Sequence, residues 1–257
     1  MYDVPEEIVV EADGPIRIVR LNRPDELNAV NHALHDGLAD LWSQIDRDRD
    51  ARAVVLTGNG RAFSAGGDFS FIQEQTTDTE LRRETLATGK RLVLNMVGCR
   101  VPVVAAVNGP AVGLGCSLVS LSDVVFMSSK AHLADPHVIV GLVAADGGPI
   151  TWPLHTSLML AKEYAFTGDR IPAERAREIG LVNHVVEPDE VFEAAMACAQ
   201  RIAGLPQYAV ETTKRVMNLH LERAVLATID FALAGEFESF GTDDVKEFLE
   251  RSLEKKG

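Results

Sequence analysis

The spacing of apolar and polar positions changes character along the chain. Ile8–Ala12 and Ile16–Leu21 are short β-rich runs on either side of Asp13-Gly14-Pro15, a pattern that predicts a hairpin. Asn31 stands just before Leu34, Leu38, Leu41, Trp42 and Ile45, which recur at helical spacing and predict a capped amphipathic helix. Ala53–Thr57 (AVVLT) predicts a buried strand, and a glycine-rich loop, GNGRAFSAGGDFS, follows it. Leu81, Thr85, Leu86, Leu92, Val93 and Met96 predict a helix over Leu81–Val97. Val101–Val107 predicts a second buried strand, broken by Asn108-Gly109-Pro110, with a helix over Cys116–Leu121 behind it. Strands are expected at Val124–Met127 and Ala131–Leu133, then a loop over Ala134–Gly148.

From Pro149 onward only Val182–Val186 reads as a strand. Helices are predicted at Ile150–Thr156, Leu158–Phe166, Pro172–Ile179, Pro188–Ala203, Pro206–Asn218, Leu221–Phe240 and Asp243–Glu254. The expected class is therefore α/β, with a core over residues 1–190 and a C-terminal helical region over 191–257. That tail is too short and too amphipathic to fold alone, so it should pack on the core or on a neighbouring subunit.

Composition narrows the functions available. The 257 residues are 46% hydrophobic and 25% charged, as in an ordinary globular protein. Acidic residues outnumber basic ones 38 to 25, a formal charge of -13 that argues against nucleic-acid or anionic-membrane partners. Three cysteines form no C-x-x-C pair, no histidine spacing marks a metal site, and no leader pattern or apolar run of about 20 residues is present. A cytoplasmic protein with reduced cysteines and no metal is the expectation.

The chemistry centres on two glycine segments. Gly113-Leu114-Gly115 joins a strand to a helix start, where backbone N–H groups lack partners. Ala65-Gly66-Gly67-Asp68 is a second place where amides can point outward. Each alone reads as a tight turn; together they can supply two donors to one oxygen, an oxyanion hole. Two other motifs fail. Gly58-Asn59-Gly60 lacks the third glycine of a dinucleotide fingerprint, since Phe63 stands there. Ala62-Phe63-Ser64-Ala65-Gly66 lacks the first glycine of a nucleophile elbow.

In order along the chain, RAFSAGGDF, VPVVAAVNGPAVGLGCSL followed by SD, GLVAADGG and TGDRIPAERAREIGLVNHVV resemble the successive signatures of the enoyl-CoA hydratase/isomerase family, the crotonase superfamily. The resemblance implies a crotonase-like spiral of repeated ββα units with C-terminal helices, assembled as trimers or dimers of trimers. It implies an acyl-CoA substrate whose thioester oxygen is held by the N–H groups of Gly67 and Leu114. It also implies that coenzyme A, carried by the substrate, lies near Ala65, Gly66 and Asp68. Arg23, Arg61, Arg251, Lys255 and Lys256 are candidates for its phosphates.

The chain departs from the family where hydratases carry two glutamates: Ser117 and His137 stand at those places. Serine cannot act as a carboxylate base, whereas histidine can take up a proton near pH ~6.5. Asp146, in the loop Gly141–Gly148, is the remaining acid/base candidate, with His137 beside it; its structural alternative is a helix N-cap. Members that cleave carbon–carbon bonds in β-diketones pair a histidine and an aspartate in a similar way. Three functions are thus open: enolate chemistry on a CoA thioester, hydrolysis of a β-diketone, and binding of a CoA ester without turnover. Phe69, Phe71, Leu142, Val143, Trp152 and Phe237 are expected to line an acyl pocket or the core.

Overall fold

A computed structural model of the chain describes residues 2–254. The predicted hairpin is formed by β1 (Ile8–Asp13) and β2 (Ile16–Leu21), antiparallel with Val10 opposite Val19. Helix α1 (His32–Arg47) begins where expected, because the Asn31 side chain accepts the Leu34 N–H at 2.9 Å. β3 (Ala53–Gly58) follows, then two helices where the pattern predicts one: α2 (Phe69–Thr77) and α3 (Thr79–Gly98). Asp78 ends the first and caps the second through the Glu80 and Leu81 amides. The apolar positions of α2 are too few and too unevenly spaced to announce it.

β4 (Val103–Val107) starts two residues later than predicted, after Pro102, which has no N–H to add to a ladder. β5 (Ala111–Val112), α4 (Leu114–Ser120), β6 (Val124–Ser128) and β7 (His132–Ala134) complete the first half. The expected loop after β7 contains a one-turn helix, α5 (His137–Val140). α6 (Gly148–His155), α7 (Leu158–Thr167), β8 (Ile171–Pro172), α8 (Ala173–Glu178), β9 (His184–Val186), α9 (Val191–Ala203), α10 (Gln207–Ser239) and α11 (Asp243–Glu254) follow. α10 is a single helix of 33 residues where two were expected. Asn218-Leu219-His220 holds no glycine or proline, so nothing there stops the helix.

The main sheet has the order β1-β2-β3-β4-β6-β9 and is parallel from β2 onward. A small sheet, β5-β7-β8, stands apart from it. Both faces of β3 and β4 are covered, which is why they read as unbroken apolar runs. Val54, Leu56, Val103, Ala105 and Val107 join the cluster containing α1 and α3. Ala53, Val55, Val104 and Ala106 face the other way, onto Val191, Ala195 and Ala199 of α9. No helix among the described residues is long and apolar enough to cross a membrane.

One buried polar residue ties the outer loops to this sheet. Asn28 is fully buried at a positive φ of 55°. Its amide donates to the carbonyls of Asn59 and Ala62 at 2.8 and 2.9 Å, and its oxygen accepts the Arg23 N–H at 2.8 Å. Replacement of Asn28 by alanine removes these three bonds; of their partners, the Ala62 carbonyl keeps only a longer bond from Asn108 at 3.4 Å. We expect Asn28→Ala to cost roughly 2–3 kcal/mol in urea unfolding; a loss under half a kcal/mol would contradict the role given to it.

Candidate active site

The loop after β3 and the bend before α4 are stitched together by backbone hydrogen bonds. Ser64 N–H donates to Pro110 O at 3.1 Å, and Val112 N–H donates to Ser64 O at 2.9 Å. On the other side, Val30 N–H reaches Gly66 O at 2.7 Å and Asp68 N–H reaches Val30 O at 2.9 Å. Gly67 is suspended between these anchors. Gly66 has φ +86°, and a Cβ there would meet Val112 O at 2.9 Å, so no larger residue fits the junction. Leu114 is the first residue of α4, behind Gly113. Among the described residues, neither the Gly67 nor the Leu114 amide has a backbone acceptor. Both residues line one cavity of about 300 Å³, together with Asp146, His137 and Glu236.

Asp146 is not a helix cap, which corrects the structural alternative for it. Gly147 holds the cap position of α6 and no side chain caps that helix. The Asp146 carboxylate instead accepts the Ser117 hydroxyl at 2.8 Å. A Cβ on Gly147 would lie 2.3 Å from Ser117 Oγ, so the loop passes directly over Ser117 only because both residues are small.

His137 opens α5 rather than lying in a loop. Its Nδ1 is held by a short contact with Asp135 Oδ1, and Asp135 is only 2% exposed. Burial alone would pull the imidazole pKa down. The Asp135 charge and hydrogen bond, with Asp146 and Glu236 nearby, outweigh it and raise the value from 6.5 to about 10. Glu236, on α10, is pushed from 4.5 up to about 8 by burial, which outweighs the pull of His137; the Asp146 and Asp135 charges add to the rise. At neutral pH the cavity therefore holds a protonated imidazole and a protonated carboxylic acid.

Glu236 and Asp135 were not singled out by the sequence pattern. A signal for Glu236 exists, since it shares a helical stripe with Leu233, Phe237 and Phe240, where an apolar residue is the default. Of the expected acyl-pocket residues, Phe69, Phe71 and Leu142 line the cavity. Trp152 is in the main core, Phe237 packs against the Arg82 guanidinium at 5.1 Å, and Val143 is 40% exposed. Of the expected coenzyme-binding residues, Ala65 and Gly66 reach the cavity. Arg23 and Asp68 meet each other, with Arg23 Nη1 3.3 Å from Asp68 Oδ2, and Asp68 also caps α2 through Ser70. Arg61 and Arg251 are exposed, while Lys255 and Lys256 lie outside the described residues.

Residues 11–257 match the family model described as enoyl-CoA hydratase/isomerase. The chain belongs to this family. It is 34% identical to the short-chain-enoyl-CoA hydratase of Clostridium acetobutylicum over 254 residues, covering 97% of this chain and 95% of that protein. Among solved structures, an enoyl-CoA hydratase/isomerase from Mycobacterium paratuberculosis shares 61% identity with a TM-score of 0.95, over 97% of this chain and 100% of that one. A β-diketone hydrolase from the cyanobacterium Anabaena shares 30% identity with a TM-score of 0.86, over 92% and 94% of the two chains. The α/β class and the crotonase-type fold expected from the sequence are thus those of this enoyl-CoA hydratase/isomerase family member.

This partly buried acid and imidazole have a consequence for stability. In both, the folded chain holds its proton more tightly than the unfolded chain, so folding stability falls as pH rises. The loss runs from about 4.5 through about 8 for Glu236 and from about 6.5 through about 10 for His137. Urea midpoints should decline steadily between pH 5 and 9, and Glu236→Gln should flatten the part of the decline below pH 8. A variant with the same slope as the parent would remove Glu236 from this account.

Proposed function

We propose that this chain holds the thioester carbonyl of an acyl-CoA between the amides of Gly67 and Leu114 and moves a proton at the adjacent carbon through Asp146. The observation that carries this reading is that Gly67 and Leu114, whose amides have no backbone acceptor among the described residues, line one cavity with Asp146. Two preorganised donors stabilise the enolate formed when that carbon loses a proton, or when water adds at the next carbon of an enoyl thioester before that carbon is protonated. The Ser117 hydroxyl holds Asp146 in place as the base. Protonated His137, locked by Asp135, adds positive charge beside the developing oxyanion. Glu236 retains its proton at neutral pH and serves as the acid. A carboxylate and a carboxylic acid in one pocket can shift a double bond or add water across it, which suits a substrate of the enoyl-CoA kind. The nucleotide end of coenzyme A would leave the cavity past Ala65 and Gly66, with exposed Arg61 and Arg251 available to its phosphates.

A second reading, hydrolysis of a β-diketone, is favoured by the placement of His137, backed by Asp135, and Asp146 at one cavity and by the likeness to the Anabaena hydrolase. In that reaction, water activated at Asp146 adds to one carbonyl. The bond to the central carbon then breaks, and the departing enolate, held by the two amides, takes a proton from Glu236.

Crotonyl-CoA and cyclohexane-1,3-dione separate the readings when their absorbance is followed with the same protein. The first reading expects loss of the enoyl thioester, with Asp146→Asn slower by at least ~10²-fold. Leu114→Pro should cost ~10²–10³ in rate while the protein stays folded, since the first position of a helix tolerates proline but loses its N–H. Turnover of the diketone alone would transfer the assignment to the second reading, and binding of crotonyl-CoA without turnover of either would mark a silent binder. Rates unchanged in both variants would overturn the site.

The family's trimeric assembly also has a surface to explain here. α6, α7 and α10 expose Leu154, Met159, Tyr208, Met217, Leu226 and Phe231, the last 88% exposed. Apolar area of this extent is rarely left to water. Light scattering should give three or six chains per particle, and Met217→Glu should reduce the mass. A monomer at micromolar concentration would contradict this.

A further inference from the structure

The cavity wall built by α1, α2 and α3 carries polar atoms that the chemistry above leaves idle. Gln75 lines the cavity and is only 2% exposed. Its amide Nε2 donates to Phe71 O at 3.1 Å, while its Oε1 is buried and has no partner among the described residues. The orientation is set by that bond, because a flipped amide would place its oxygen against the Phe71 carbonyl. His35 lines the same wall, with Nδ1 3.9 Å from Asp36 Oδ1. Its Nε2 faces Gly89, where an added Cβ would stand 3.7 Å away. Gly89 sits in the middle of α3, a position where glycine weakens a helix, and it too lines the cavity.

An unpaired buried acceptor destabilises a protein, and native structures rarely keep one without a reason. Here the orphan oxygen, the second polar atom on His35 and the room beside Gly89 share one wall. We propose that the substrate carries a hydroxyl on the part remote from its reacting carbonyl, and that this hydroxyl donates to Gln75 Oε1. Its oxygen accepts from His35 Nε2, with the imidazole proton on that nitrogen, in the space left by Gly89. The substrate class is then a hydroxylated acyl group rather than a plain alkyl chain. This assignment rests on the reading that the carbonyl is held at Gly67 and Leu114.

Calorimetric titration with two ligand pairs tests it. One pair is pentanoyl-CoA and 5-hydroxypentanoyl-CoA; the other is cyclohexane-1,3-dione and its 5-hydroxy derivative. In whichever pair binds, the hydroxylated member should bind about tenfold more tightly. Gln75→Met, similar in length and without the amide, should erase that preference. It should also melt roughly 2–4 °C higher, since the orphan acceptor is gone. Equal affinities within a pair that binds would overturn the hydroxyl assignment and leave the carbonyl site standing. A preference that persists in Gln75→Met would overturn it as well. If neither pair binds, the carbonyl reading falls and this inference falls with it.

Discussion

Everything at the site depends on the backbone bonds that join residues 63–64 to residues 110–112. β3 and β4 are neighbours in the parallel sheet, with Val54 opposite Val103 and Leu56 opposite Ala105. Their C-terminal ends therefore release two loops side by side. The Ser64–Ala111 bridge continues that pairing beyond the sheet and brings Gly67 within one cavity of Leu114. Gly67 and Leu114, 47 positions apart, can line one cavity only if this registry holds. The glycines follow from the same constraint, because Gly66 must pass against the Val112 carbonyl.

The acid/base groups are assembled differently, by the packing of elements distant in sequence. His137 on α5, Asp146 before α6 and Glu236 on α10 meet around one cavity, with Ser117 on α4 holding Asp146. His137 and Glu236 share this space with the Asp135 and Asp146 charges, and neither keeps its ordinary pKa. The site resolves this by placing Asp135 against His137, which keeps the imidazole charged, and by leaving Glu236 protonated. Proton inventory is thus built into the pocket before any ligand arrives.

Where the resemblance expects glutamates, at Ser117 and His137, the structure brings the Asp146 carboxylate against Ser117. A serine on α4 is short enough for Gly147 to lie across it, and this allows Asp146 to reach inward and take the Ser117 hydroxyl. The same fold can in this way present a carboxylate from a loop instead of a helix. Fold and reaction are separable for this reason: the sheet and its two loops place the Gly67 and Leu114 amides, while the surrounding helices place the titratable groups.

The hairpin, the capped helix α1, the buried strands β3 and β4 and the two glycine segments could all be read from the chain, because each has a local cause. Asn31 caps, Gly66 and Gly113 turn, and apolar runs bury on both faces. Helix α2, the continuity of α10 and the one-turn helix at His137 were not legible, since weak local preference there yields to packing. Asp146 illustrates the boundary. An aspartate beside two glycines at a helix start satisfies the local rule for a cap equally well, and only the approach of Ser117 from α4 decides that its carboxylate faces the cavity. Glu236 lies 90 residues further on, and no local pattern connects it to Asp146. Sequence alone determined the longer strands and the turns, whose conformations depend on nearest neighbours. Tertiary structure alone decided which charges share a cavity, because charge coupling depends on distance in space and not along the chain.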